Sequence, residues 1–141
     1  MPIQFVLLPL FVEVLLTFGL LFATGFARRR DLTGGGVHPR DIALGQLGWT
    51  PRTQQLGNSF NNQFQLPLLF YVLTILSVIT KHADVIFVVL AWIFVLSRIV
   101  HVYVHVTHNH VFRRGAIFGV GAIVLLIMWV IFIVRILLGL P

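Results

Sequence analysis

Four long stretches of the 141-residue chain are almost free of charge, and the polar residues gather between them or in stripes along them. The apolar stretches run roughly over 3–26, 56–80, 84–112 and 116–138. Each exceeds the ~20 residues needed to cross ~30 Å of hydrocarbon as a helix rising ~1.5 Å per residue. None shows the ~10-residue alternating pattern of a transmembrane strand. Backbone groups in lipid must find their partners within the segment, which leaves helices. The pattern therefore predicts an all-α bundle of four transmembrane helices, a single membrane domain over residues 1–141. The first stretch lacks a basic leader and is longer than a signal-peptide core, so it is expected to remain as a helix.

The connections differ in length and charge. A polar loop over residues 27–55 begins ARRRDLTGGG and separates the first two spans. Only Lys81-His82-Ala83 separates spans two and three, which predicts a tight antiparallel hairpin, and Arg113-Arg114-Gly115 is expected to form the turn before the last span. Arg28, Arg29, Arg30, Arg40 and Arg52 lie in the long loop, and Arg113 and Arg114 lie on the same side of a four-span topology. The opposite side holds Lys81, with Arg135 near the last helix's outer end. This bias places the 27–55 loop in the cytoplasm and both termini outside.

Helical spacing sorts the polar residues of the spans onto faces. Arg98, His101, His105 and His108 form one stripe on span three, with Asn109 at its edge. Asn58, Asn61, Asn62 and Gln65 form another on span two. The short hairpin makes these helices neighbours, so the stripes are expected to face each other. Two blander readings stay open: the amides cap or glue helices, and His108 and His110 anchor the chain at the membrane surface. Arg98 is different, because an arginine near mid-span costs at least ~2.5 kcal/mol and needs a partner. Apart from Asp84 at the outer mouth of span three, the only carboxylate within a span is Glu13, roughly 16 Å into the first helix by its rise per residue. Glu13 and Arg98 are therefore expected to approach each other, within one subunit or between two; a cap on helix carbonyls or a ligand carboxylate is the alternative for Arg98. Pro67 interrupts span two just after its polar stripe and frees a carbonyl near Gln63.

Composition narrows the chemistry. Only 10% of residues are charged, against about a quarter in soluble domains, and the mean hydropathy is +0.98. With no cysteine, disulfides, thiolate nucleophiles and cysteine-held metals are excluded. The formal charge of +6 falls beside apolar runs, which fits an anionic membrane surface, and nucleic acid is not expected as a partner. His101 and His105 have the i, i+4 spacing of helix-borne metal ligands, but no carboxylate follows at a useful offset and H-E-x-x-H is absent. No metal site is assigned, and metal or haem ligation is kept as a third reading. Arg98, Arg114 and the arginines after span one, Arg28 first among them, favour a pocket for a small anionic ligand.

The order of these features resembles the MAPEG superfamily, the membrane-associated proteins in eicosanoid and glutathione metabolism, in a bacterial branch. The resemblance covers the whole chain and is clearest in NNQFQLPLLFYVL and LAWIFVLSRIVHVYVHVTHN. It implies a homotrimer in a bacterial inner membrane. Glutathione would lie between helices one and two of one subunit and helices three and four of the next. The family's Arg-Asn-x-x-Glu motif falls on residues 61–65, where Asn62 matches but Asn61 and Gln65 replace the arginine and the glutamate. Arg98, His101 and Arg114 match family positions; His105 and Phe118 replace tyrosines, and Gly115 replaces a serine or arginine.

The resemblance implies a glutathione-dependent transferase or peroxidase acting on a lipophilic electrophile that enters from the membrane lipids. In that reading Arg114 and His105 are the candidate catalytic residues. Arg28, Asn62, Gln65, Arg98 and His101 bind the co-substrate glutathione. The missing hydroxyl donors support an alternative on the same scaffold, a non-catalytic protein that binds lipids or fatty acids.

Overall fold

The structure is a computed structural model and describes residues 2–43, 48–105 and 111–141. Its helices are α1 (Ile3–Thr33), α2 (Pro51–Asn62), α3 (Leu66–Ile79), α4 (Val85–Tyr103) and α5 (Val111–Leu137), with a 3-10 turn at Pro39–Asp41. Four stretches are long and apolar enough to cross a membrane: Ile3–Thr33, Pro51–Ile79, Val85–His105 and Arg113–Leu137. His108, Asn109 and His110, singled out from the sequence, lie outside the described residues.

Three boundaries differ from the sequence reading. The first helix runs to Thr33 rather than stopping near Phe26, so Arg28, Arg29 and Arg30 sit on helix and not in a loop. An apolar run ends where polar side chains begin, but a helix ends only where the backbone is released. Here Gly34 donates to the Arg30 carbonyl at 2.8 Å and Gly35 takes φ +74°, a conformation glycine adopts without strain.

The second span is two helices rather than one. Residues 63–65 form tight turns, with Gln63, Phe64 and Gln65 donating to Phe60, Asn61 and Asn62. Pro67 lacks the N–H that a continuous helix needs and is instead accommodated in the first turn of α3.

Third, Arg113-Arg114-Gly115 is not a turn but part of the opening turns of α5. Arginine is a good helix former and one glycine is tolerated there.

The buried face of α1 follows a heptad-like spacing through Val6, Pro9, Glu13, Leu20, Thr24, Ala27 and Asp31. Its opposite face exposes Phe5, Phe11, Leu15, Phe18, Phe22 and Phe26, as a lipid-facing or subunit-facing surface would. Inside, Phe70 of α3 stacks on Phe94 of α4 with ring centroids 4.9 Å apart. Val6, Leu73, Ala91, Val95, Leu125 and Met128 close around the pair. At Gly121 of α5 an added Cβ would stand 2.8 Å from the Ser97 hydroxyl, so the glycine allows α4 and α5 to approach closely.

The two ends of the bundle are chemically distinct. At one end the Asp31 carboxylate accepts from the Thr50 hydroxyl at 2.8 Å and from its N–H at 3.3 Å, seating the start of α2 beside the end of α1. At the other, Asp84 accepts from the Phe87 N–H and caps α4. His82 reaches the Leu140 carbonyl at 2.8 Å. Arg135 joins Asp84, tying the last helix to the α3–α4 turn.

Candidate functional site

The end of α2, the end of α4 and the start of α5 converge at the arginine-rich end of the bundle. The α2 break ends the helix just past Asn62 and leaves Asn58, Asn61, Asn62 and Gln65 along one wall of a cleft. His101 and His105 form the facing wall from α4 and the π turn at Val104–His105, and Arg114, Gly115 and Phe118 complete the cleft from α5. Its volume is about 520 Å³, within the usual range for small-molecule sites.

The two polar stripes meet directly at one point. Asn62 donates through Nδ2 to Nδ1 of His101 at 3.4 Å, across otherwise buried surroundings. That contact leaves Nε2 of His101 as the proton-bearing nitrogen. The His101 and His105 rings lie edge to face with centroids 5.7 Å apart, and Phe118 stands 5.7 Å from His101. His105 Nδ1 is buried with no hydrogen-bond partner among the described residues.

Among the described residues the cleft wall holds one guanidinium, several amides and two imidazoles, and no carboxylate. An anionic or strongly polarised ligand suits such a lining, because amide and guanidinium N–H groups donate and nothing repels negative charge. Among the described residues no group of three His, Cys, Asp or Glu side chains is placed to hold a metal ion.

Of the residues singled out from the sequence, Asn62, Gln65, His101, His105 and Arg114 come together in this cleft. Two stand elsewhere. The Arg28 guanidinium carbon lies 5.3 Å from the Trp49 ring centroid, beyond the cleft lining. Arg98 is buried behind the α4 wall, 5.8 Å from the Phe118 ring. Its position on the helical stripe with His101 is right, but the side chain turns toward the bundle interior. No direct ion pair joins it to Glu13, although both are buried and each lies in the other's electric field.

Gln63 was outside the stripe and is nevertheless buried, its amide donating to the Ser59 carbonyl at 3.2 Å. The signal for it was Pro67 alone: a missing N–H announces a break, and a polar side chain beside a break can satisfy the loosened carbonyls.

A second groove of about 440 Å³ lies between α3 and α5, lined by Leu66, Leu69, Ala122, Leu125, Leu126 and Trp129. It is apolar throughout and starts one residue beyond Gln65 of the cleft.

Neither a search of curated proteins nor one of solved structures found a match to the chain. A family model, described as MAPEG family, matches residues 6–134. That match takes in every residue of the cleft and all but the outermost turns of the helices, and the chain is a multi-pass membrane protein of the MAPEG family.

Proposed function

We propose that the cleft binds glutathione and that the protein joins it through its thiolate sulfur to a lipophilic electrophile, forming a thioether as the leaving group departs, or uses two glutathiones to reduce a lipid peroxide to its alcohol and water with formation of glutathione disulfide. The observation that carries this reading is Arg114 facing Asn62, Gln65, His101 and His105 around one space without a carboxylate. Arg114 stabilises the thiolate by its positive charge. Asn62 and Gln65 hold the peptide ligand by their amides, and His101, fixed by Asn62, adds a polar contact. His105 carries a proton to or from the reacting group. Arg98 acts behind this wall, and Arg28 at the membrane edge draws the anionic ligand in.

In this reading the protein works as a homotrimer in a bacterial inner membrane. The arginine-rich end is cytoplasmic and the lipophilic substrate arrives through the membrane. The exposed apolar faces of α1 and α5 suit contacts with lipid and with neighbouring copies. The test is conjugation of glutathione to chlorodinitrobenzene by the purified protein, together with the Arg114→Ala variant. A rate at background for the wild-type chain ends the catalytic reading.

The apolar α3–α5 groove, together with Gly115 and Phe118 where family members carry polar donors, favours a second reading: a carrier or sensor of lipids or fatty acids on the same scaffold. A co-purified lipid seen by mass spectrometry, with no conjugation above background, is its expected signature.

A further inference from the structure

Glu13 has no place in the cleft, yet it is 0% exposed, and Arg98 is 1% exposed. Glu13 reaches this depth because it occupies an inward heptad position of α1 between Pro9 and Leu20. Arg98 takes the matching place on α4, one turn before His101 and beside the buried Phe94 and Val95. The two helices pack against each other. The two charges and the Tyr71 phenol all lie within one another's electrostatic reach.

Even so, both carboxylate oxygens and all three guanidinium nitrogens lack a hydrogen-bond partner among the described residues, and no ion pair joins them. Five orphaned atoms of two buried charges cannot be left in a low-dielectric interior, where buried polar groups are almost always partnered.

The needs of the two groups are complementary. A carboxylate only accepts and a guanidinium only donates, so the bridging species must do both. The charges cancel, which removes any demand for a counter-ion. The near-zero exposure leaves no mouth for a peptide or a lipid headgroup. Water meets all three conditions, and buried water in proteins characteristically makes about three such bonds.

We infer that one or more water molecules are bound between Glu13 and Arg98, forming a solvent-bridged ion pair that fastens α1 to α4 at mid-membrane depth. Phe118 lines the cleft and also faces Arg98, so its ring is the boundary between ligand space and this internal site. Arg98 then serves the cleft only by holding α4 in place. This inference does not rest on the glutathione reading, since the water site stands whatever the cleft binds.

A crystal structure of the intact protein grown in lipid, at a resolution that shows ordered solvent, tests it directly. The expected result is solvent density within hydrogen-bond distance of both a Glu13 oxygen and an Arg98 nitrogen. A direct ion pair, or a gap with no density, overturns it. An independent arm compares unfolding midpoints in detergent for Glu13→Gln, Arg98→Met and the double variant. Glu13→Gln should lower the midpoint most, because it strands a guanidinium that cannot give up its proton, and adding Arg98→Met should recover part of that loss. Losses that simply add would show two unrelated sites and overturn the bridge. Should a single variant fail to fold while the double variant folds, the recovery is larger still; should none fold, the solvent map decides.

Discussion

Asn62 and His101 face each other at 3.4 Å between the end of α2 and the end of α4, the one described hydrogen bond that links the two polar stripes. Both side chains are almost fully buried. Their contact joins the two walls of the cleft and selects the tautomer of the imidazole.

Removing either partner should therefore expose the other as an unsatisfied buried group. Asn62→Ala and His101→Ala are each expected to destabilise the protein by ~1–3 kcal/mol, the desolvation penalty of a stranded polar group. The double variant should lose less than the two single losses combined. Thermal unfolding in detergent for the four proteins of the cycle measures this, and strict additivity would mean that the pair is not coupled.

Arg114 is the one cation on the described cleft wall. If the glutathione reading holds, Arg114→Ala should reduce conjugation by ~10²-fold or more, as when a charge-stabilising donor is removed from an active site. Arg114→Lys should retain part of the rate, because it keeps the charge and loses the planar fork. Equal activity in all three proteins would place the chemistry elsewhere.

The Asp84–Arg135 pair gives a pH prediction. Burial pushes the Asp84 carboxyl up, but the Arg135 hydrogen bond, the Phe87 N–H and the Arg135 charge together outweigh it and hold the group below its usual value of 3.8. A carboxylate with a depressed folded pKa adds stability that is complete above the unfolded pKa and is lost as pH falls through the folded one. The unfolding midpoint should thus be flat near neutrality with respect to this group and decline as the pH drops below about 4. Asp84→Asn keeps an N-cap for α4 and should remove that part of the decline. The effect is modest, because the Asp84 side chain is 44% exposed and the pair is screened by water and salt. Midpoints measured from pH 3 to pH 7, at low and high salt, test the sign.

Gly121 and Ser97 make a steric prediction. The Ser97 hydroxyl donates to the Phe94 carbonyl at 2.6 Å, so it cannot swing away from a Cβ at position 121 without giving up that bond. Gly121→Ala should destabilise by ~1 kcal/mol despite its better helix propensity, and Gly121→Val by more. Ser97→Ala removes the clashing atom, and Gly121→Ala placed in that background should be neutral or stabilising. A destabilising Gly121→Ala in both backgrounds would point to a different neighbour.

Much of this architecture is legible one helix at a time. The length of the apolar runs marks the spans, and the 3.6-residue period puts Asn58, Asn61, Asn62 and Gln65 on one face and Arg98, His101 and His105 on another. Most of the cleft follows from these local patterns. Pro67 likewise marks the weak point of the second span, because its missing N–H is a local property. The expected close pairing of spans two and three is looser than their short turn suggests: α4 packs chiefly on α5 and α1, and it meets α2 and α3 through side chains such as Asn62–His101 and Phe70–Phe94.

What a single helix cannot reveal is how far it is rotated about its own axis once packed, and where its neighbours end. The sequence by itself determined that this is a four-span membrane protein with polar stripes toward one end, since hydrophobic length and helical period are properties of each segment alone. Tertiary structure decided that Arg98 leaves the cleft and turns inward toward Glu13, that Arg135 reaches Asp84, and that Gly121 lies against Ser97. Those choices depend on side-chain direction at helix–helix contacts, where fractions of a turn decide whether a residue meets ligand, lipid or another charge.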